Sequence, residues 1–235
     1  MSDPEVTREI APVAMAERCV EMSLFPDVAP DRPVGYIVPS VFVGTNADLM
    51  SAVAPMYLTG SVMDCTYGEG KWWTRFRPAP FVAHDLHKVD GVDFTDLPED
   101  EATYDAVCFD PPYIPSGGFE SSTRKDFRDA FGITAAWMGG EARLWAMIGA
   151  GVAECARVLK PGGFLLVKCM DFVYADGLTL GHRRVLDMAD HLGLRCHDLI
   201  VHHTGSGPGG HNIFTPKRAR RHHSYLLVFT KVGKR

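Results

Sequence analysis

The sequence predicts an α/β fold with a mostly parallel sheet and helices on both of its faces. Three short apolar segments of strand length each end in an aspartate, namely Asp64, Asp85 and Asp110. Apolar residues recur at helical spacing over 141–159, and this pattern runs into Lys160-Pro161-Gly162-Gly163 and an apolar strand over 164–168. Strands that alternate with helices in this way are typical of parallel sheets.

Length and charge indicate an ordinary globular domain rather than a basic protein that coats nucleic acid. The chain has 235 residues, of which 46% are hydrophobic, and a formal net charge of −5. Any contact with a polyanion must therefore be local. From Lys217 to the end the chain has seven Lys or Arg and no acid. We divide the chain into an irregular lead-in over 1–35 and a domain over 36–235.

The strand over 104–109 ends abruptly at Asp110-Pro111-Pro112-Tyr113. The prolines have a fixed φ and no N–H, so the strand must stop, and Asp110 is held in an extended conformation. The corner presents a carboxylate, a free carbonyl and a ring where open α/β sheets bind ligands. Two acceptors can hold the N–H bonds of an exocyclic base amine, and a tyrosine can stack on the base, which contributes about 1–3 kcal/mol. A proline turn with a solvent-exposed aspartate is the alternative.

This corner resembles that of the amino-methyltransferases that modify adenine N6 or cytosine N4 in DNA. The resemblance implies a Rossmann-like class I methyltransferase fold, completed by an antiparallel last strand near 224–231. It also implies the roles at the corner. Asp110 accepts from the target amine, Pro111 contributes its carbonyl beside Pro112, and Tyr113 stacks on the base. The methyl group of S-adenosylmethionine would pass directly to nitrogen, so alignment supplies much of the rate.

A glycine loop follows the strand that ends at Asp64. The loop contains Cys65, Thr66, Gly68 and Gly70, and glycines let a backbone approach a ligand closely. It resembles the D-x-x-x-G-x-G loop that holds S-adenosylmethionine in class I methyltransferases. The resemblance implies that both glycines pack under the methionine part and that Asp64 lies near its cationic end. Cys65 and Thr66 stand where DNA methylases commonly have Pro-Phe, and we expect them to contact the cofactor.

Two further acids join Asp110 in the predicted cofactor site. Asp85 follows the second strand, where an acid binds ribose hydroxyls in dinucleotide folds. A surface aspartate that caps a turn is the alternative. The segment 92–98 resembles the one whose acid accepts a hydrogen bond from the adenine amine, and Asp93 is preferred over Asp96 for that role.

The connections around the second strand are short. A parallel crossover needs about ten to twelve residues or more, and neither 71–80 nor 87–91 provides a full helix. We therefore expect one short sheet edge covered by loops, with Trp72, Trp73 and Phe76 as core cover. Before the first of the three strands we expect a helix through 49–58, capped by Thr45 or Asn46. In the resembling family this helix often lines the cofactor site, and a simple packing helix is the alternative.

Two basic segments are expected to contact nucleic acid. A loop insert over 114–140 carries Arg124 and Lys125, and a basic loop over 202–223 carries a cluster that can neutralise phosphates. The cluster consists of Lys217, Arg218, Arg220 and Arg221. A mobile insert without a role and a solvated hairpin tip are the alternatives. Residues 205–210 match G-x-G-x-x-G, but no helix follows them, so we reject a dinucleotide site there.

Cysteine and histidine usage indicates neither disulfides nor a metal. The six cysteines lie mostly inside apolar runs without a C-x-x-C pair, which predicts reduced thiols and a cytoplasmic protein. The histidine pairs at 202–203 and 222–223 fit no common metal spacing, and methyl transfer from a sulfonium requires no metal, so we assign none. The sequence has no signal peptide and no apolar run near about eighteen residues, so we expect no membrane segment.

These observations predict transfer of a methyl group from S-adenosylmethionine to an exocyclic amine of a nucleic-acid base, with adenine N6 in DNA favoured. An RNA methyltransferase that acts on adenine N6 or guanine N2 would use the same corner, as would a DNA cytosine N4 methyltransferase. A non-catalytic nucleic-acid-binding subunit would keep the fold and lose cofactor affinity. A small-molecule methyltransferase is a further alternative, against which the corner and the basic tail weigh.

Overall fold

The computed structural model describes residues 37–113, 140–174, 177–205, 218–219 and 221–233. The elements are, in chain order, β1 (Val41–Val43), α1 (Asn46–Tyr57), β2 (Val62–Asp64), β3 (Phe81–Ala83), β4 (Tyr104–Phe109), α2 (Gly140–Val158), β5 (Leu159–Cys169), β6 (Phe172–Tyr174), β7 (Gly177–Thr179), α3 (Gly181–His191), β8 (Leu194–His203) and β9 (Ser224–Lys231). A 3₁₀ turn over Lys71–Trp73 lies between β2 and β3. Among the described residues, no helix combines the length and apolar character needed to cross a membrane.

Seven of these strands form one sheet in the order β1-β8-β9-β5-β4-β2-β3, and β6 and β7 form a separate ribbon. Strand β9 runs antiparallel to both of its neighbours, while the other pairings in the large sheet are parallel. The carboxyl ends of six strands therefore lie at the same edge. The predicted Rossmann-like α/β fold is confirmed, and β9 is the antiparallel last strand expected near 224–231.

The central strand β4 shows why helices are needed on both faces. Its apolar residues alternate between the two sides of the sheet. Ala106 and Cys108 pack with α1 on one face, whereas Val107 and Phe109 pack with α2 and α3 on the other. All four side chains are fully buried. A strand covered on both faces reads as a continuous apolar run, which is the pattern that the sequence shows here.

Helix α1 begins at a capping box. Thr45 Oγ1 accepts a hydrogen bond from the Asp48 N–H at 3.2 Å, and Asp48 Oδ2 accepts one from the Thr45 N–H at 2.8 Å. Of the two predicted caps, the structure therefore uses Thr45. This leaves the Asn46 side chain available for another contact.

Strand β5 begins earlier than the sequence predicts. We expect a stop at 160–163 and a strand from 164, but β5 starts at Leu159. The pairing with β4 explains the difference, because Tyr104 pairs with Leu159 and Ala106 pairs with Phe164. The intervening residues form a bulge in which a Cβ on Gly163 would lie only 2.6 Å from the Asp105 carbonyl oxygen.

The sheet edge at β3 is short, as expected. Strand β3 has three residues, and the chain from 84 to 103 contains turns and bends but neither strand nor helix. Trp73 is buried against Phe81 of β3, Trp72 is buried next to Trp73, and Phe76 is partly buried against the same core. The loop after β3 is fixed by other means.

His84 fixes that loop. Its Nδ1 lies 2.6 Å from Asp90 Oδ2 and its Nε2 lies 2.5 Å from Glu99 Oε1. Burial alone would lower the pKa of His84, but the hydrogen bonds and negative charges of the two carboxylates raise it overall. The charged imidazolium is therefore favoured, and it ties the end of β3 to Asp90 and Glu99 within the loop.

We predict that His84→Gln destabilises the protein in a pH-dependent manner. Because the folded-state pKa is raised, the contribution of the charged clamp is fully present below the unfolded value of about 6.5 and is lost as pH rises through the folded-state pKa. Urea unfolding should show a loss of about 1–3 kcal/mol at about pH 5.5 and a much smaller loss at about pH 9. Exposed His87→Gln is the control. An equal loss at both pH values would contradict a charged clamp.

Candidate functional site

The carboxyl ends of β2, β3 and β4 open into one cavity of about 190 Å³. The strands are neighbours, and Asp64 pairs with both Ala83 and Cys108, so the segments that follow the strands begin at one level. We call this cavity the cleft. Its lining consists of Asn46, Asp64, Cys65, Thr66, Tyr67, Gly68, Glu69, Lys71, Trp72, Asp85, Leu86, His87, Phe94, Asp110, Pro112 and Met147. Asp64 and Asp110 therefore face a shared space.

Asp64 is a buried carboxyl at the base of the cleft. The Trp73 indole N–H donates to its Oδ2 at 2.6 Å, and the Thr66 N–H donates to its Oδ1 at 2.9 Å. Burial raises the pKa of Asp64 to about 7, and the charge of Asp110 adds to this, while the two donors oppose it. The carboxyl therefore changes its protonation state near neutral pH.

The Thr66 hydroxyl links the two acidic corners. It accepts a hydrogen bond from the Asp110 N–H at 2.7 Å and donates one to Asp64 Oδ1 at 3.3 Å. Its neighbour Cys65 donates from its backbone N–H to the Cys108 carbonyl at 3.2 Å. The Cys65 thiol lies 3.6 Å from that of Cys155 in the core. The segment after β2 is thus fastened directly to β4.

The two glycines of the loop have different surroundings. Gly68 has a φ of +54°, and a Cβ there would meet nothing closer than the Thr66 carbonyl oxygen at 3.9 Å. Gly68 therefore leaves open space in the cleft. Gly70 has a φ of +69°, does not line the cleft, and a Cβ there would lie 2.5 Å from the Tyr67 hydroxyl. Of the two glycines predicted to approach a ligand, Gly70 instead makes room for Tyr67.

Asp85 lines the cleft and organises the loops beside it. Its Oδ2 accepts from the Gly68 N–H at 2.9 Å, and its Oδ1 accepts from the N–H groups of His87 and Lys88 at 2.9 and 2.8 Å. A carboxylate has about four acceptor positions. One position therefore remains for a donor from a ligand.

The predicted adenine acid does not lie in the cleft. Asp93 Oδ1 accepts from the N–H and the hydroxyl of Thr95 at 2.9 and 2.8 Å, which is a local turn. Neither Asp93 nor Asp96 lines the cleft, whereas Phe94 does. Together with Leu86 and Met147, Phe94 contributes apolar surface to the cleft.

The corner after β4 presents an acceptor without a partner. Asp110 Oδ1 is buried and has no hydrogen-bond partner among the described residues. Burial raises the pKa of Asp110, and the positive charge of Lys168 opposes this rise. Pro111 is buried, Pro112 lines the cleft, and Tyr113 is half-buried without lining it.

Sequence alone does not single out Lys168, which lies close to this corner. Its side chain at the end of β5 is 3% exposed, its Nζ donates to Asn46 Oδ1, and it lies 5.9 Å from the centre of the Trp72 ring. Asn46 was expected only as a helix cap. The available signal was a charged residue at the end of an apolar strand, on the same sheet edge as Asp110.

The residues predicted to contact nucleic acid fall mostly outside the described part of the chain. That is the case for Arg124, Lys125, Lys217 and Arg220. Arg218 is exposed, and Arg221 donates to the Ala219 carbonyl oxygen at 2.9 Å. Within the described ranges, no group of three or more His, Cys, Asp and Glu side chains is arranged to hold a metal.

The chain has no match to a protein-family model and none to a curated protein. Among solved structures, a Thermus thermophilus protein proposed to be a DNA modification methylase is 19% identical, with a TM-score of 0.40 over 61% of this chain and 53% of that chain. A Bacillus halodurans protein proposed to be a methyltransferase is 16% identical, with a TM-score of 0.47 over 80% of this chain and 99% of that chain. The 1,6-didemethyltoxoflavin-N1-methyltransferase of Burkholderia thailandensis is 11% identical, with a TM-score of 0.45 over 80% of this chain and 77% of that chain. The chain thus spans about half the length of the Thermus thermophilus protein.

We predict that Trp73→Phe destabilises the protein more as pH rises. The lost indole bond favours the ionised form of Asp64, so its removal raises the pKa of Asp64 further above about 7. Urea unfolding should show a loss of about 1.5–3 kcal/mol at about pH 8 and of about 0.5–1.5 kcal/mol at about pH 5.5.

Trp145→Phe is the matched control, because its indole N–H donates to Glu141 outside the cleft. The free energy of unfolding that Trp145→Phe loses should not increase between the two pH values. A Trp73→Phe loss that was the same at both would contradict a carboxylate held by Trp73.

Proposed function

We propose that the chain is an S-adenosylmethionine-dependent methyltransferase that acts on an exocyclic amine of a nucleic-acid base, with adenine N6 in DNA as the preferred target. The observation that carries this proposal is the shared cleft of Asp64 and Asp110. It joins a glycine loop and an acid pair to a proline corner that bears an unpartnered acceptor.

The groups in the cleft fit S-adenosylmethionine. Open space at Gly68 allows close approach of a ligand to the backbone. Asp64 can complement a cationic group, and Asp85 keeps an acceptor position for a hydroxyl. The apolar surface of Leu86 and Phe94 suits a flat ring. When bound, the cofactor supplies a methyl group on a positively charged sulfur.

Asp110 would hold the target amine. Its Oδ1 can accept one N–H, and the Pro111 carbonyl would accept the second, so that the nitrogen lone pair is directed into the cleft. Fixed acceptors of this kind stabilise positive charge that develops on nitrogen. Tyr113 would stack on the base, and Pro112 would form the wall between base and cofactor. Because methyl transfer is direct, this alignment supplies much of the rate.

The position of β9 supports a nucleic-acid substrate. Since β9 is antiparallel, its first residues lie at the sheet edge where the parallel strands end, with Tyr225 paired to Cys169 and Ser224 paired to His202. Arg221, which precedes β9 by three residues, therefore lies near the edge that holds the cleft. Basic side chains there can neutralise phosphates beside a base that is flipped out of the duplex.

Mass spectrometry of nucleosides tests the function directly. Purified protein and labelled S-adenosylmethionine are incubated with duplex DNA and, separately, with structured RNA. We expect labelled N6-methyladenine from DNA. Label in RNA alone would replace the DNA assignment with an RNA one. Absence of label from both, together with no cofactor binding in calorimetry, would overturn the proposal.

We predict that Asp110→Ala lowers turnover by about 10²-fold or more, because one fixed acceptor for the amine is lost. S-adenosylmethionine affinity in calorimetry should survive. Asp96→Ala is the control, since Asp96 is exposed and outside the cleft. Full turnover in Asp110→Ala would remove this carboxylate from the reaction.

We predict that Gly68→Val and Gly70→Ala separate ligand binding from folding. A side chain at Gly68 projects into open space, so Gly68→Val should weaken S-adenosylmethionine binding about 10-fold or more, with a stability loss near the roughly 1–2 kcal/mol of a strained φ. A methyl group at Gly70 meets Tyr67 and should mainly lower the melting temperature. Unchanged affinity in Gly68→Val would place the cofactor elsewhere.

A further inference from the structure

We propose that Lys168 is a positioning residue for the proposed methyl transfer, and that its ammonium group, anchored by Asn46, keeps Asp110 ionised as an acceptor. The proposal rests on the function given above, in which Asp110 holds the target amine. It assigns a task to a buried lysine that the cofactor and base roles leave unexplained.

Strand register brings the two side chains together. In the parallel pair β4 and β5, Phe109 pairs with Val167. The next residues, Asp110 and Lys168, are therefore neighbours across the strands, which lie about 4.8 Å apart. Because side chains alternate along a strand, both point to the same side of the sheet.

The contacts of Lys168 agree with this placement. Cys108 and Leu166, two positions earlier, pack on the α1 face, and Lys168 reaches the same side. There its Nζ donates to Asn46 Oδ1 and lies over Trp72. Asn46 and Trp72 also line the cleft beside Asp110. The ammonium group is thus held at the wall of the cleft rather than in solvent.

The balance of charge around Asp110 depends on Lys168. Burial raises the pKa of Asp110 and lowers the pKa of Lys168, and the charge of each opposes the shift of the other. The nearby Trp72 indole N–H, itself without a hydrogen-bond partner among the described residues, also favours the ionised carboxylate. No carboxylate of the described residues lies within 4.0 Å of Lys168 Nζ. The attraction therefore acts over more than 4.0 Å and leaves Asp110 Oδ1 without a hydrogen bond. A direct salt bridge would have consumed that acceptor.

The other titratable groups around this pair do not replace Lys168. Asp64 lies on the β2 side, and its negative charge and that of Asp110 repel each other. Burial and the charges of Asp110 or Asp171 raise the pKa values of Tyr113 and Cys169, which stay neutral. On β8, burial and the charge of Lys168 lower the pKa of His202 to about 4, so His202 is neutral as well.

The protonation state of Asp110 decides whether it can hold an amine. An ionised carboxylate only accepts hydrogen bonds, whereas a protonated one carries an O–H that would face the N–H of the target. Loss of the Lys168 charge should therefore shift Asp110 towards the protonated form, which keeps only a weaker, neutral acceptor and carries no charge to stabilise a positive nitrogen. The expected defect is pH-dependent and lies in turnover rather than in cofactor binding.

The test compares Lys168→Met with Lys168→Arg. Carbon-13 NMR titration follows the carboxyl groups of labelled aspartates, and Asp110→Asn identifies the Asp110 signal. In Lys168→Met we expect the pKa of Asp110 to rise by about one unit or more, and the acidic limb of the pH–kcat profile to move up equally. On the acidic limb of the profile, turnover should fall about 10-fold for each unit of this rise and recover as pH rises. Lys168→Arg should keep the wild-type profile, and KM for S-adenosylmethionine should change little in both.

Several outcomes decide between the proposal and the function on which it rests. An unchanged Asp110 titration and an unchanged pH profile in folded Lys168→Met, with active wild-type protein, would overturn the role of Lys168 alone. A raised Asp110 pKa in Lys168→Met, when the wild-type protein methylates neither DNA nor RNA, would support the coupling between Lys168 and Asp110 and contradict the proposed function. If Lys168→Met does not fold, nitrogen-15 NMR of the wild-type Lys168 ammonium decides, because a neutral amine near pH 7 would overturn the proposal.

Discussion

The site depends on one hydroxyl between two neighbouring strands. The Thr66 hydroxyl accepts a hydrogen bond from the Asp110 N–H and donates one to Asp64. Without this bridge, the loop after β2 and the corner after β4 would be joined mainly through the sheet below them. With it, an acid that titrates near neutral pH and an acid with a free acceptor stay at a fixed separation. The glycine loop, the indole of Trp73 and the lysine of β5 are arranged around that pair.

Burial of the sheet on both faces explains why the pKa values of polar groups at this edge are shifted. The parallel strands are covered by helices, so their last residues lie at the margin of a dry core. Asp64 and Lys168 are 3% exposed, and each depends on a few specific partners. Such clusters are costly unless most of their members are satisfied. The unpartnered Oδ1 of Asp110 departs from this rule.

Much of this arrangement could be predicted because it follows from chain-local patterns. Asp64, Asp85 and Asp110 each end a short apolar run, and parallel strands bring such ends to one edge. The same rule applies to Lys168, but its significance comes from the pairing of β5 with β4, and strand register is a property of tertiary structure. The start of β5 was misplaced for a related reason, since only the pairing shows that 160–163 form a bulge within the strand.

Gly70 and Asp93 show where prediction from a motif fails. Their residue types suit a cofactor site, yet Tyr67 and Thr95 account for them locally. A motif constrains which residue types occur in a loop, but it does not determine which of them face the ligand. Steric fit around each position decides that, and it requires coordinates.

The single direction of six strands also gathers their amino ends at the far rim of the sheet. Gly162 lies in the bulge of β5 and Gly193 precedes β8 at this rim, and a Cβ at either glycine would meet nothing within 4 Å. Neighbouring Leu192 is 42% exposed. A fluorophore or surface tether attached near Leu192 would therefore leave the opposite rim, and the cleft that opens there, accessible in immobilised protein.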